Sequence, residues 1–201
     1  MPGEADLIEF YRNKHATEAY GDTSVKYLRF LRPEIALLRP QTVIDYGCGQ
    51  SRLLDILANS IGFRGVRYDP AIPEHAARPQ DAADLLICID VLEHVEEAEL
   101  DRVIGDMRSL CREAIIVVDT KAAVQTLPDG RNAHVSLHPH AWWQARLERH
   151  FGPLTPIRCP RRSRAGFRSF PRTSPLGFAG RRLGEDLRHY LAKLTGARRA
   201  G

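Results

Sequence analysis

The sequence predicts an α/β fold with a mostly parallel sheet, because short apolar strands alternate with amphipathic helices over much of its length. The first strand runs directly into a turn with two glycines and then into a leucine-rich helix. The stretch Asp84–Asp90 is an almost unbroken apolar run, which is typical of a central strand buried on both faces. The predicted parallel strands are Thr42–Asp45, Gly65–Tyr68, Asp84–Asp90 and Ala114–Val118.

The turn after the first strand has the features of a nucleotide-binding loop. Gly47 and Gly49 allow the backbone to turn sharply and leave room for a close ligand. Asp69 ends the second strand twenty residues after Gly49, where a carboxylate can accept hydrogen bonds from a ribose diol. A dinucleotide fingerprint would need glycine at position 52, which is Arg52, and the phosphate-loop motif is absent. The ligand is therefore expected to lack the phosphates that those motifs bind.

The chain before the first strand is predicted to be helical, and the connection after the second strand is predicted to be short. Residues 6–40 are predicted to be helices interrupted by a turn at Tyr20–Thr23, with Ser24 capping the second helix. Only fourteen residues separate Asp69 from Asp84, and three of them are proline. Because proline is unfavourable inside a helix, we expect this sheet edge to be trimmed to a loop with at most one helical turn.

The C-terminal half is predicted to contain one long functional loop between regular elements. Residues Lys121–His138 follow a parallel strand, at the edge where α/β sheets bind ligands, and so long a stretch without regular structure is usually functional or mobile. The remaining predicted elements are a helix at Glu96–Cys111, a helix opened by Pro139, an antiparallel strand pair at Thr155–Cys159 and Gly166–Phe170, and a short helix at Gly184–Leu194.

Two motifs carry a family resemblance. Asp45-Tyr46-Gly47-Cys48-Gly49 and Asp90-Val91-Leu92-Glu93-His94-Val95, in order with Asp69, resemble class I S-adenosylmethionine (SAM) methyltransferases of the small-molecule type. Many members carry a third glycine where this chain has Ser51, which can instead cap the following helix. The resemblance covers residues 42–118 well and 119–170 loosely. It implies a Rossmann-like fold, SAM as the cofactor, N-terminal helices that cover it, and cofactor-binding roles for Asp45, Gly47, Gly49, Asp69, Asp90 and Leu92.

Methyl transfer to oxygen requires a group that accepts the acceptor's proton. SAM carries its own leaving group, so the enzyme mostly positions donor and acceptor. Histidine titrates in the range useful for a base. His94 and His134 both follow strands at the carboxyl edge, so they can converge there. His134 and His94 are the candidate catalytic residues; His134 is our candidate for contact with the acceptor, whereas the resemblance implies that His94 can instead shape the cofactor pocket.

The length of 201 residues and the 43% apolar composition predict one domain with its own core. We divide it into a helical cap at 1–40, a Rossmann-like core at 41–170 and a basic tail at 171–201. The N-terminus lacks a signal-peptide pattern, no window approaches a membrane span, and the four cysteines show no C-x-x-C spacing. A cytoplasmic protein with free thiols is the expectation.

The charge is unevenly distributed along the chain. Residues 158–201 hold twelve Arg or Lys and two acids, whereas the rest holds seventeen basic residues and twenty-three acids. A segment with this excess of positive charge can contact nucleic acid or anionic lipid. Arginine outnumbers lysine twenty-five to four in the whole chain, so a compositional bias explains the segment equally well.

Three functions therefore remain open at this point. The leading hypothesis is a SAM-dependent O-methyltransferase acting on a small metabolite or glycan, without a metal. The second is an RNA methyltransferase that uses the basic tail, and the third is a SAM-binding partner subunit without activity. Asp90, Glu93, His94 and His134 also resemble the ligand arrangement of metal-dependent small-RNA 3′-end methyltransferases, which would make them the site of a divalent ion.

Overall fold

The sheet of this computed structural model, which describes residues 4–18, 24–172 and 174–194, has six strands in that part of the chain. The strand order is β2-β1-β3-β4-β6-β5. The pairs among β1, β2, β3 and β4 are parallel, and β6 runs antiparallel to both β4 and β5. The bounds are β1 Thr42–Tyr46, β2 Arg64–Tyr68, β3 Ala83–Ile89, β4 Cys111–Asp119, β5 Thr155–Ile157 and β6 Arg164–Arg168.

Helices cover both faces of the sheet. They are α1 Glu4–Thr17, α2 Leu28–Leu38, α3 Leu53–Ile61, α4 Leu100–Ser109, α5 His140–Phe151 and α6 Pro175–Leu194. Leu86 and Cys88 of β3 join a core with α4 and α5, whereas Leu85 and Ile87 join a second core with α2 and α3. Successive side chains of a strand point to opposite faces, so an apolar run on β3 supplies both cores. The mostly parallel α/β fold that the sequence predicts is confirmed.

The trimmed edge of the sheet is also confirmed. β2 is an edge strand, and no strand intervenes between it and β3 along the chain. The connection contains one short 3₁₀ helix at Pro73–His75. Since proline lacks the amide hydrogen that a helix needs, a single turn is what this proline-rich connection can support.

Three local predictions need correction. The expected helix at Glu96–Cys111 is a 3₁₀ turn at Glu97–Glu99 followed by α4, and Cys111 begins β4, where it pairs with Ala83. Both conformations bury the cysteine, so periodicity alone did not separate them. Ser24 does not cap α2, which begins at Leu28 after a 3₁₀ turn; its hydroxyl contacts the hydroxyl of Ser51 instead. The predicted turn at Tyr20–Thr23 lies outside the described residues, as does the end of the chain after Leu194.

The predicted last helix is too short. α6 spans twenty residues, Pro175–Leu194, instead of Gly184–Leu194. Glycines at 177, 180 and 184 lower the intrinsic helix preference of its first half, but α6 packs against α2, and tertiary packing overrides that preference. The basic C-terminal segment is therefore largely a docked helix in its described part. No helix among the described residues is long and apolar enough to cross a membrane.

Candidate active site

The glycine turn is held tightly at the carboxyl ends of β1 and β2. The amides of Gly47 and Cys48 both donate to the carbonyl of Tyr68, at 2.8 and 3.2 Å. Gly47 has φ +72° and a Cβ added there would overlap Val91, while Gly49 has φ +50°. Only glycine adopts this backbone at both positions without strain, so the turn brings its bare backbone to the sheet edge, as the sequence predicts.

Asp69 ties the turn to the end of β2. Its two carboxylate oxygens accept from the amides of Gly49 and Ala71, each at 2.9 Å. A carboxylate oxygen has a further acceptor site after one such bond, so Asp69 retains the capacity to bind a hydroxyl. Ser51 also acts as expected, because its hydroxyl oxygen accepts from the amide of Leu53, the first residue of α3.

Two of the predicted cofactor residues lie beneath the surface of the site. Asp45 is buried in β1, where burial raises the pKa of its carboxyl to about 7 despite the opposing effect of Arg67. Leu92 is fully buried in the core below the second motif. Neither side chain lines the cleft described next, so they support its walls from behind.

A cleft of about 220 Å³ opens above the turn. One wall comes from α1, which confirms the expectation that an N-terminal helix covers the site. The side chains and backbone that line it include Leu7, Ile8, Tyr11 and His15 of α1, and Tyr46, Gly47, Gly49, Asp69, Asp90, Val91 and His94 at the sheet edge.

A buried acidic cluster adjoins the cleft at the ends of β3 and β4. One nitrogen of Arg164 lies 2.8 Å from Asp90, 2.8 Å from Asp119 and 3.5 Å from Glu93. Asp90 has φ +58° and also accepts a hydrogen bond from the Tyr27 hydroxyl at 3.1 Å. Burial raises the pKa of Asp90 and of Glu93, a neighbouring carboxylate raises each of them further, and Arg164 opposes both shifts.

Glu93 is the least satisfied member of this cluster. Its side chain is fully buried, and one carboxylate oxygen accepts from the amide of Asp119 at 3.0 Å. The other, Oε2, has no hydrogen-bond partner among the described residues. A buried polar atom without a partner is costly, so this oxygen is a candidate ligand for a bound group.

His94 and His134 meet beside Glu93, as the sequence predicts. Their ring centroids lie 4.7 Å apart in a T-shaped arrangement. The Nδ1 of His134 lies 2.5 Å from the carbonyl of Lys121, and a carbonyl can only accept, so that nitrogen carries the proton and Nε2 keeps a lone pair. His94 lines the cleft, whereas His134 lies behind it and is 9% exposed.

The environment of His94 keeps its imidazole neutral. Nδ1 lies 2.6 Å from the Tyr11 hydroxyl and 2.9 Å from the carbonyl of Ala133. Burial, reinforced by the neighbouring His134, lowers the pKa of His94 to about 4. One nitrogen of each imidazole and one carboxylate oxygen of Glu93 lie within 4.8 Å of one another. The three side chains thus form a compact donor set.

Sequence reasoning missed two residues of the site. Arg164 comes from β6, and Tyr11 comes from α1. Neither belongs to a motif, and Arg164 lies 74 positions from Asp90 while Tyr11 lies 83 positions from His94. The only indication in the sequence was indirect, since acids that end neighbouring strands require a nearby cation when they are buried.

Comparison with known proteins agrees with this geometry. Residues 15–158 match a family model described as a methyltransferase domain. Comparison with curated proteins gives no match. Among solved structures, an O-methyltransferase family protein from Burkholderia thailandensis has a TM-score of 0.57 at 15% identity, over 82% of this chain and 59% of that protein.

Two further structures share the fold. Magnesium protoporphyrin IX methyltransferase from Synechocystis, with bound SAH, has a TM-score of 0.52 at 18% identity, over 79% of this chain and 92% of that one. Human N-acetylserotonin methyltransferase, in complex with SAM, has a TM-score of 0.53 at 11% identity, over 83% of this chain and 56% of the human enzyme. The chain thus spans under three-fifths of two of these proteins, and the likeness concerns the fold. With the family match covering most of its length, the chain belongs to the class I SAM-dependent methyltransferases.

Proposed function

We propose that this methyltransferase transfers the methyl group of SAM to an oxygen atom of a small metabolite or glycan. The observation that carries the proposal is the pair of imidazoles beside the glycine turn, with His94 in the cleft wall and His134 in contact with it from behind. Bound in the cleft, SAM supplies an electrophilic methyl group on a sulfonium. The chain's own residues then bind the ribose through Asp69, exclude water with α1, and accept the proton that the acceptor hydroxyl loses.

His134 is the proposed proton acceptor. Its Nδ1 is held by the carbonyl of Lys121, so the Nε2 lone pair is available to a hydroxyl. His94 is a weaker base because its pKa is lowered to about 4, and a neutral ring at the cleft wall suits a position near a sulfonium. Since His134 lies behind His94, the acceptor reaches it only after His94 or Tyr11 moves.

A second use of the same residues is favoured by the unpartnered Oε2 of Glu93. A carboxylate oxygen of Glu93 and one nitrogen of each imidazole lie within 4.8 Å of one another, and such groups suit a divalent transition metal. The cluster of Asp90, Glu93 and Asp119 around one Arg164 also holds more negative than positive charge when ionised. A metal here would hold acceptor hydroxyls near the methyl group.

RNA as the acceptor has weaker support. The basic groove that α6 helps to form is lined by Arg32, Arg39, Arg181 and Arg188. Arg39 lies three residues before β1 begins at Thr42, so the groove lies at the amino edge of the sheet, opposite the cleft. A strand of five residues is about 16 Å long, and the described part of α6 therefore does not adjoin the reaction site. We also propose a cytoplasmic location, from four cysteines that all remain free thiols.

The test is methyl release with pooled metabolite, glycan and RNA acceptors, measured together with SAM affinity. His134→Ala is expected to lower kcat about 10²–10⁴-fold and to leave SAM affinity nearly intact, because it removes a base and no cofactor contact. The matched control is Asp69→Asn, which is expected to weaken SAM binding by about 1–3 kcal/mol through its ribose contacts.

Each other outcome changes the assignment. A fully active His134→Ala variant would refute its role as the base. Loss of turnover with a chelator, restored by Mn²⁺, would replace the base with the metal at Glu93, His94 and His134. SAM binding without turnover on any acceptor pool would favour a non-catalytic partner subunit. Turnover on RNA alone would favour an RNA methyltransferase.

A further inference from the structure

α6 presents an apolar strip to solvent. Of the seven large apolar side chains that the described residues leave exposed, five belong to this helix. Leu176, Leu183, Leu187 and Tyr190 follow one another at intervals of seven, four and three residues, so they share one face, and Leu191 lies beside them. Leu176 is 88% exposed and Leu183 is 70% exposed. A soluble helix that packs on a core normally turns such a face inward.

The opposite face of α6 is the one that fixes the helix to the protein. Glu185 is buried there, and one nitrogen of Arg32 in α2 donates to both of its carboxylate oxygens, at 3.0 and 3.1 Å. Phe178, one heptad earlier, is buried under the guanidinium of Arg172, which lies 3.7 Å from the ring centroid. Because these contacts hold the face with Phe178 and Glu185 inward, the apolar strip is kept pointing outward.

Positive charge flanks the strip. α6 contains four basic residues against two acids, and Glu185 is one of those acids and is turned inward. Arg181 and Arg188 line the basic groove on one side, together with Arg32 and Arg39. A second copy of the chain packed on this strip would bring two positively charged helices together, which is unfavourable. A surface with an apolar interior and anionic groups at its boundary complements both the apolar strip and the positive charge beside it.

We propose that α6 docks the protein on an anionic lipid surface. The helix is about 30 Å long and would lie in the plane of the bilayer. Its leucines would enter the boundary between headgroups and acyl chains, while the flanking arginines contact lipid phosphates. An exposed apolar face with arginines along its polar side is the pattern of interfacial helices that bind anionic membranes. Tyr190, which has an apolar ring and a polar tip, suits the same boundary.

The test uses the full chain and flotation with vesicles of two compositions. One is phosphatidylcholine with about one-third phosphatidylglycerol, and the other is phosphatidylcholine alone. The parent protein is expected to float with the anionic vesicles at low salt, and less at high salt, because salt screens the arginine contacts. Leu183→Ser/Leu187→Ser is expected to lower the partition coefficient about tenfold or more, since two apolar side chains no longer enter the lipid.

The matched control is Val124→Ser, which removes a fully exposed apolar side chain in the loop before α5. It is expected to float like the parent, and all variants should bind SAM equally, which checks their folding. Absence of flotation with anionic vesicles at low salt, or equal flotation of the double variant, would overturn the proposal. A parent that sediments as a dimer, with the double variant monomeric, would overturn it in favour of a second copy.

Discussion

The two ends of β6 each carry an arginine, partly exposed at the start and buried at the end, and the charges around these two side chains are balanced in opposite ways. Arg164, at the start of the strand, lies among three carboxylates of the site. Arg168, at its end, shares the single carboxylate of Glu34 with Arg172, at 3.5 and 2.7 Å. Since β6 runs antiparallel to β4, the first group lies at the carboxyl edge of the sheet and the second lies beside α2 and α6.

This difference in charge balance distinguishes the group around Arg164, which belongs to the site, from the group around Arg168, which is a structural contact. Both carboxylate oxygens of Glu34 have an arginine partner, and the group joins α2 to the chain that leads into α6. The group at the site has too few cations for its acids and leaves Oε2 of Glu93 without a partner. Unpaired buried charge costs stability, and such costs are usually found where a protein binds a ligand.

The largest expected effect comes from removing the two arginines in turn. Arg164→Met is expected to lower the free energy of unfolding by about 3–5 kcal/mol at neutral pH, because it leaves three buried carboxylates without their guanidinium. Arg172→Met is expected to cost less, about 1–3 kcal/mol, because the buried Glu34 loses both of its hydrogen bonds to Arg172 but keeps the guanidinium of Arg168 at 3.5 Å. Urea unfolding measures both. Equal losses would show that charge balance does not distinguish the two ends of β6.

A smaller contrast is expected when the acids are neutralised. Glu34→Gln is expected to cost about 2–4 kcal/mol, because two arginines lose their carboxylate and Arg168 is buried. Glu93→Gln is expected to change the free energy of unfolding by no more than about 1 kcal/mol. The glutamine side chain keeps an oxygen that can accept from the amide of Asp119, and it replaces a carboxyl group whose pKa is already raised. Urea midpoints at constant m decide between them. A Glu93→Gln variant as unstable as Glu34→Gln contradicts the contrast.

The smallest expected effect is a pH dependence at the site. The pKa of His94 is about 4 in the folded protein and about 6.5 when unfolded. Between these pH values the unfolded chain binds more protons than the folded protein does. The free energy of unfolding therefore rises with pH across this window, and the contribution of His94 is lost as the pH falls through it. We expect His94→Gln to remove about 2–3 kcal/mol of the rise in the free energy of unfolding between these two pH values. His140→Gln, which changes an exposed histidine, should leave the slope of the parent unchanged; an identical slope in His94→Gln would exclude the effect.

The sequence by itself determined those parts of the protein that follow from local chemistry. The positive φ angles at Gly47 and Gly49 need glycine, and the apolar run of β3 needs burial on both faces, so a turn and a central strand could be predicted there. The prolines between Asp69 and Asp84 likewise predicted a trimmed edge. His94 and His134 could be expected to converge because the carboxyl ends of parallel strands meet at one edge.

The tertiary structure alone decided the contacts between distant segments. The gathering of Asp90, Glu93 and Asp119 on Arg164 depends on β6 pairing antiparallel with β4 in one register, and nothing near position 164 in the sequence encodes that register. The length of α6 was likewise decided by its contact with α2, against the preference of its glycines. The local sequence pattern determines which backbone conformation a segment can adopt. The packing between segments determines which charged side chains come into contact, because these contacts depend on the positions of all the elements together.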